Sequence, residues 1–575
     1  MGATILTILL GLTLVLVVAC GGAPAAPEPT AATVAEPTPV SGPGETSLPT
    51  AIPQATAPSA EVEVNPGKLT IMVGDWAGER FDPVFAAGRA GALNYGRVMH
   101  GFLISGDAER EMIPGIANEW SLSDDGLTWE FTIREGVKFH NGNEVTAEDV
   151  QWSLEHMFGP GGIQHFGVSA TSISHEMDRA EVTGPDKVSV FTKTPLTTFD
   201  IEVSEAGDKW YGVMPKRPKL YDVEQELAYD QDPIGAGPMR LVSHVQASSM
   251  SFERFEQYYY QPDNGFSEDK RVKFQSLDLF LVPEEATRVA ALRSGEADIV
   301  PASLATRKQV ETGGGRMVFG QEGVYVDAKL LGCWDPQYPC HDKRVRQALD
   351  YAIDKKLIQE RLYGGPEVFQ VKGWSVVTPS TIGYTPELDP WPFDPDKARQ
   401  LLSDADYPNG QGFGKLIVHT FPSTSMPFQV EAAQLAAEFW WRELNLDVEV
   451  RVGDSLAIAK TWRAQEINGQ VLWRDNETRK DATNITRSSY GDLESLTRVS
   501  EDPEILRSVQ DTVRIVDAAR REEASRELFL RLREESHQLG IGYVNIPWGV
   551  GPRVVTWEPH PLALFPSALE TITLK

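Results

Sequence analysis

Side chains do chemistry as a nucleophile beside a base, as a cluster of metal ligands, or as a concave patch of aromatics and charges that holds a solute. The first two are missing from this chain of 575 residues. No Gly-x-Ser-x-Gly string occurs. His175-Glu176 begins like a zinc-protease motif, but Arg179 stands where the second His is needed. Carboxylates are abundant, yet abundance is not a paired acid and base. The expectation is therefore a protein without catalysis, cofactor or resident metal. Fourteen Trp point to the third class, because an indole packs on apolar or flat ligands and keeps an N–H for orientation. Most of these should be core, and position alone does not sort them.

Three Cys are present. Cys20 ends an apolar run over residues 3–19 that is short for a membrane span and closes in small residues, as a signal peptide does. Val17-Val18-Ala19-Cys20 resembles a bacterial lipobox, in which the Cys becomes the lipidated first residue. Residues 1–19 contain no Lys or Arg, so the usual positive segment is missing and an uncleaved anchor stays open. Either route places the folded part outside the cytoplasm, tethered to a membrane. Cys333 and Cys340 are separated by six residues, two of them prolines. In an oxidising compartment that spacing predicts a disulfide. A two-Cys metal site has only His341 nearby to complete it.

These candidates need elements to hold them. Residues 20–66 are rich in Pro, Ala and Thr with few large apolar side chains, which predicts a disordered tether. From Leu69 onward the composition is that of a soluble globular protein, 41% hydrophobic and 23% charged over the whole chain. Fifty-three basic against 82 acidic residues, net −29, argue against binding nucleic acid or anionic lipid by charge. Strands are predicted at 69–73, at 127–133 by strict alternation, at 277–282 and at 446–452. Thr146 and Asp149 are spaced as a capping box before a helix through Met157. Asp342 is placed to cap a helix whose Val345, Ala348, Leu349, Ala352 and Ile353 form one apolar stripe. Lys343, Arg344, Arg346, Asp350 and Asp354 are expected on its wet side. Residues 430–444 and 503–537 also read as helical, and a return strand is expected from Tyr543. Helix followed by strand, repeatedly, is an α/β chain.

Several of these strings resemble one family. HDKRVRQALDYAIDKKLI, DGLTWEFTIREGVKFHNGNEVTAEDVQWSLE, the turn Asp232-Pro233-Ile234-Gly235-Ala236-Gly237-Pro238, Ser294-Gly295-Glu296-Ala297-Asp298 and the helix start at Asp394-Pro395 look like segments of the family 5 extracellular solute-binding proteins of ABC transporters, in family order. These are the dipeptide-, oligopeptide- and nickel-binding proteins. The resemblance implies a two-lobed periplasmic-binding-protein-like α/β fold (type II, large cluster with an extra subdomain) joined by a hinge. Lobe I would take residues 68–321 plus 539–575, with the subdomain near 103–222, and lobe II 322–538. It implies a monomer that captures a small, peptide-like solute and delivers it to ABC permease subunits. Oligosaccharide, nickel or haem binding, a sensor without transport, and a secreted hydrolase are the alternatives. His140 matches a turn His of the family and is read as structural. Trp76, Trp374 and Trp473 fall on what are cleft loops in the family and are the ligand candidates. Peptide-binding members carry Trp-x-Ala-Asp-Tyr-x-Asp-Pro, whose Asp holds the ligand's α-ammonium. Here the region reads Trp473-Arg474-Asp475-Asn476, so Asp475 could hold an amine and Arg474 a carboxylate.

Overall fold

The computed structural model describes residues 67–575, apart from 77–78, 87–89, 109–110, 162–175, 208–211, 265, 267–269, 424, 494, 496 and 564. Cys20, the predicted signal peptide and the predicted tether lie outside the described residues. Among the described residues no helix is long and apolar enough to cross a membrane.

The largest sheet has eleven strands. On one side it runs Met239–Val245, Ser249–Arg254, Ser276–Leu281, Lys68–Val73 and Ile299–Pro301. On the other it runs Val471–Glu477, Lys415–Thr420 and Asp447–Val452. Two long antiparallel strands, Gln538–Val550 and Arg316–Leu330, join these sides, and the short strand Phe369–Gln370 pairs with the first of them. The ends Arg316–Gly320 and Ile546–Val550 pair next to Ile299–Pro301, whereas Val324–Leu330 pairs with Val471–Glu477. Both strands therefore run through both halves. Their register shifts between Gly320 and Val324. Glu322 sits in that bulge with φ 57°, a left-handed conformation uncommon for a residue with a Cβ. Its amide donates to Asn545 Oδ1 at 3.0 Å, and its carboxylate accepts from the Ser380 amide and hydroxyl. Lys415–Thr420 and Asp447–Val452 are parallel, and the helix Gln429–Leu444 makes the crossover that parallel pairing requires.

Buried side chains fall into separate clusters. Leu69, Ile71, Phe81, Tyr95 and Trp548 belong to one, beneath the first side of the sheet. Val326, Val345, Leu349, Trp440 and Trp473 belong to another, beneath the second. A third fills a separate four-stranded antiparallel sheet, ordered Ala117–Leu122, Thr128–Ile133, Lys187–Thr192, Met177–Gly184, with the helix Ala147–Phe158 against it. The expected capping box opens that helix: Asp149 N donates to Thr146 Oγ1 at 3.3 Å and Thr146 N to Asp149 Oδ2 at 2.9 Å. His140 is structural. Its Nδ1 accepts from Gly235 N, and its Nε2 lies 3.1 Å from Gly237 O. Gly235 is required there, because a Cβ would collide with the Met99 carbonyl oxygen.

The helix Lys343–Tyr351 begins as expected, with Asp342 Oδ1 accepting from Arg344 N at 2.8 Å. Its apolar stripe is buried. The wet side is not as expected: Arg346 and Asp350 are buried too. Arg346 donates to the Cys340, His341 and Glu535 carbonyls and to the Glu535 carboxylate, and Asp350 pairs with Lys355 at 2.7 Å. Satisfied charges tolerate burial that bare ones would not. The predicted single helix 503–537 is two, Pro503–Thr512 and Ala518–Glu535, and the return strand starts at Gln538 rather than Tyr543.

Cys333 and Cys340 are bonded, with Cα atoms 5.1 Å apart, and tie the loop ahead of this helix to the end of the strand Arg316–Leu330. The closed loop is short, so opening it should cost only about 2 kcal/mol by chain entropy. Urea titration of the Cys333→Ser/Cys340→Ser protein should show a midpoint loss of that size with a single transition retained. Loss of folding altogether would mean the bridge does more than close a small loop.

Candidate functional site

The site is built on the strand Val471–Glu477, whose side chains alternate between two faces. Val471 and Trp473 turn into the apolar cluster beneath the sheet. Leu472, Arg474 and Asn476 turn the other way, toward the helix Ser455–Arg463. Asp454 caps that helix by accepting from Ala457 N at 2.9 Å. Ile458 and Trp462, one turn apart, therefore face the strand. Between strand and helix lies a cavity of about 420 Å³, lined also by Phe421, Ser425, Glu477 and Arg479. That volume falls in the range of roughly 300–1,000 Å³ usual for small-molecule sites.

Charge is concentrated here. Asp475 accepts from Ser423 Oγ at 2.9 Å and Ser425 Oγ at 2.8 Å, which holds its carboxylate at the cavity edge. Arg474 donates through Nε to the Asp475 carbonyl at 3.0 Å, and its guanidinium lies 5.7 Å from the centre of the Trp462 ring. Opposite Arg474 in the neighbouring strand is Asp327, wholly buried. It accepts from Ser375 Oγ and Asn476 Nδ2, both at 3.3 Å. Burial raises its pKa, and the nearby Lys329 and Arg474 oppose that rise. The arrangement can hold a solute that offers an apolar or flat body and charged ends. Among the described residues no group of three or more His, Cys, Asp or Glu is placed to bind a metal.

The residues singled out in the sequence separate. Arg474 and Asp475 line the cavity. Trp76 is buried in the cluster with Leu69 and Phe81. Trp473 is 0% exposed, on the strand face opposite Arg474. Trp374 is buried in a fourth cluster that also holds Trp462, its indole N–H donating to Gln538 O at 3.0 Å. None of these three indoles lines the cavity; Trp462 and Phe421 supply its aromatic surface. Trp462, Asn476 and Phe421 were missed. The available signal was Asp454 as a cap followed by Ile458 and Trp462 at helical spacing beside a charged strand.

Comparison with known proteins agrees with this architecture. Heme-binding protein A of Haemophilus influenzae is 28% identical over 314 residues, covering 52% of this chain and 54% of that protein. The glutathione-binding protein GsiB of Pectobacterium atrosepticum is 26% identical over 368 residues, covering 63% and 64%. The chain thus spans a little over half to under two thirds of these relatives' lengths. In fold it is similar to HbpA2 from Haemophilus parasuis, with TM-score 0.73, 20% identity, and 88% and 100% of the two chains covered. It is similar also to DppA from Helicobacter pylori in complex with the peptide STSA, with TM-score 0.67, 19% identity, and 88% and 98% covered. The fold is accordingly the two-lobed α/β fold of periplasmic binding proteins. The sequence profile "Bacterial extracellular solute-binding proteins, family 5 Middle" matches residues 111–488, well over half of the chain, and the chain belongs to that family.

Proposed function

We propose that the protein captures a small, peptide-like solute between two lobes and delivers it to the permease subunits of an ABC transporter. Lobe I is residues 68–321 plus 539–575, with a subdomain near 103–222, and lobe II is residues 322–538. The two long strands act as the hinge. Cys20 carries a lipid that anchors the protein, as a monomer, on the outer side of a membrane, at the end of the tether 20–66. The observation that carries the reading is the 420 Å³ cavity on the lobe II side, lined from residues 421–479 with Trp462, Arg474 and Asp475 on its walls, which the other lobe would cover on closing. Family membership supports solute capture, and the names of the relatives, heme- and glutathione-binding, and the peptide in the DppA complex show how widely the family's ligands vary. No bond to the solute is made or broken. Binding favours the closed form through contacts that exist only when both lobes meet the solute.

The test is a mixture of di- to pentapeptides and glutathione offered to the folded protein, with retained species identified by native mass spectrometry. A retained solute should quench intrinsic fluorescence on titration, and Trp462→Ala should weaken it about tenfold, the loss of one stacked aromatic contact. A solute that binds equally well to Trp462→Ala would move the site away from this cavity.

A further inference from the structure

The segment that follows the cavity strand meets three other parts of the molecule. Glu477 and Arg479 line the cavity. Between them, Thr478 Oγ1 donates to Gly323 O at 3.2 Å, in the bulge where the joining strand shifts register. Lys480, next in the chain, pairs with Glu111, and Arg487 pairs with Glu176 at 2.7 Å. Both acids belong to the proposed subdomain. Glu111 stands one residue before the strand Met112–Pro114, and Glu176 one residue before Met177–Gly184 of the four-stranded sheet. Further along lobe II, Val513 O accepts from Oγ1 of buried Thr197 at 2.8 Å. The partners are 369, 311 and 316 residues apart in sequence, so the contact is wholly tertiary. Its strength fits a joint that opens. Glu111 is 65% exposed, and Arg487 and Glu176 are 22% and 20% exposed. Ion pairs that keep contact with water bias an equilibrium by only about twofold to fivefold each. The Asp82–Arg217 pair within lobe I is of the other kind, because separating it would strand a buried charge. Glu202 and Asp481 share a small void on the same contact, and two acids there work against it.

We propose that the subdomain is a clasp: by holding Lys480 and Arg487 it biases the empty protein toward the closed form and slows the release of a captured solute. This rests on the lobe division given above and assigns the subdomain a part in it. The clasp adds the same bias with or without solute, so it acts on retention without touching the solute. It reaches the cavity through the chain itself, since the residues it grips follow directly on Glu477 and Arg479.

Small-angle X-ray scattering without solute compares the parent, Glu176→Arg, Arg487→Glu and the exchanged pair Glu176→Arg/Arg487→Glu. Each single reversal sets two like charges against each other. It should shift the open-to-closed ratio about tenfold and raise the radius of gyration, and the exchanged pair should return the radius to the parent value. Urea titration of the same proteins checks that the fold survives. If a reversal unfolds, Glu176→Gln and Arg487→Gln read the same shift at smaller size, because they only remove the pair. Release of peptide retained from the di- to pentapeptide mixture should be about tenfold faster from either single variant and parental from the exchanged pair. Equal radii in all the proteins overturn the clasp, and so does an exchanged pair as wide as the single reversals. Scattering needs no solute, so the two readings fail separately. If no peptide is retained, the peptide-receptor reading falls and the radii still decide the clasp.

Discussion

Replacing Asp82 with alanine should destabilise the protein by about 3–5 kcal/mol, the range for breaking a buried ion pair from one side. Asp82 is 0% exposed in the turn Phe81-Asp82-Pro83. Its carboxylate accepts from Arg217 at 2.7 Å, lies 3.0 Å from His156 Nε2, and accepts from Val84 N at 3.1 Å. Burial alone would raise its pKa, but His156 and Arg217 outweigh burial and hold the carboxyl well below the ordinary range. The acid is thus charged at any working pH. Arg217 lies over the Trp152 ring at 4.5 Å, and His156 stacks on the same indole at 4.6 Å. Without Asp82, a guanidinium and an imidazole face each other 3.1 Å apart with no anion between them. The shape of the loss identifies its cause. Asp82→Leu combined with Arg217→Met removes both charges and should recover much of the single-variant loss in urea titration, because two apolar groups replace the pair. A double variant no better than Asp82→Ala would assign the loss to the turn rather than to the charges.

The partners of Asp82 were not legible in the sequence. His156 and Arg217 lie 74 and 135 residues away, and nothing local points at either. The same limit runs through the chain. Caps at Asp342, Thr146 and Asp394 could be read because a cap and the amides it binds are within three residues. Arg346 was placed in water because its partner Glu535 is 189 residues off and no periodicity encodes it. The break in the helical run 503–537 carries no Pro or Gly; its one local sign is Asp517, which caps the second helix by accepting from Arg520 N. At the site, the alternation of Trp473 and Arg474 shows that they part company. Which of them meets solvent depends on where the helix Ser455–Arg463 packs and on the register with Arg316–Leu330, both tertiary facts. A count of fourteen Trp could not distinguish Trp462 from Trp374, although the two share one cluster and only one lines the cavity.

Asp200→Asn should make the protein more stable at pH 7.5, by as much as about 3 kcal/mol, with the gain shrinking as pH falls toward 4. Asp200 lies in the helical turn Phe199–Glu202, and Asp481 lies beyond the strand Val471–Glu477. Under the proposed lobe boundaries they belong to opposite lobes. The two segments meet around a small void lined by Thr198, Glu202, Lys480 and Asp481. Nearby, Thr197 Oγ1 donates to Val513 O at 2.8 Å, and Arg487 pairs with Glu176 at 2.7 Å. Burial pushes Asp200 up to about 6; its own turn amide, Ile201 N, and Arg521 pull it down, and Asp481 pushes it further up. Asp481 is raised as well, by burial first and against Thr483 and Arg521. An acid raised in the native state binds protons more tightly there than in the unfolded chain, so its ionisation opposes folding. The penalty is absent below the unfolded value of 3.8, grows between about 4 and 6, and is complete above 6. Asparagine keeps the oxygen that accepts from Ile201 N at 2.9 Å and removes the charge. Urea titrations of parent and variant at pH 4, 5, 6 and 7.5 read the effect directly, and a difference independent of pH would show that Asp200 is not ionising in a buried site.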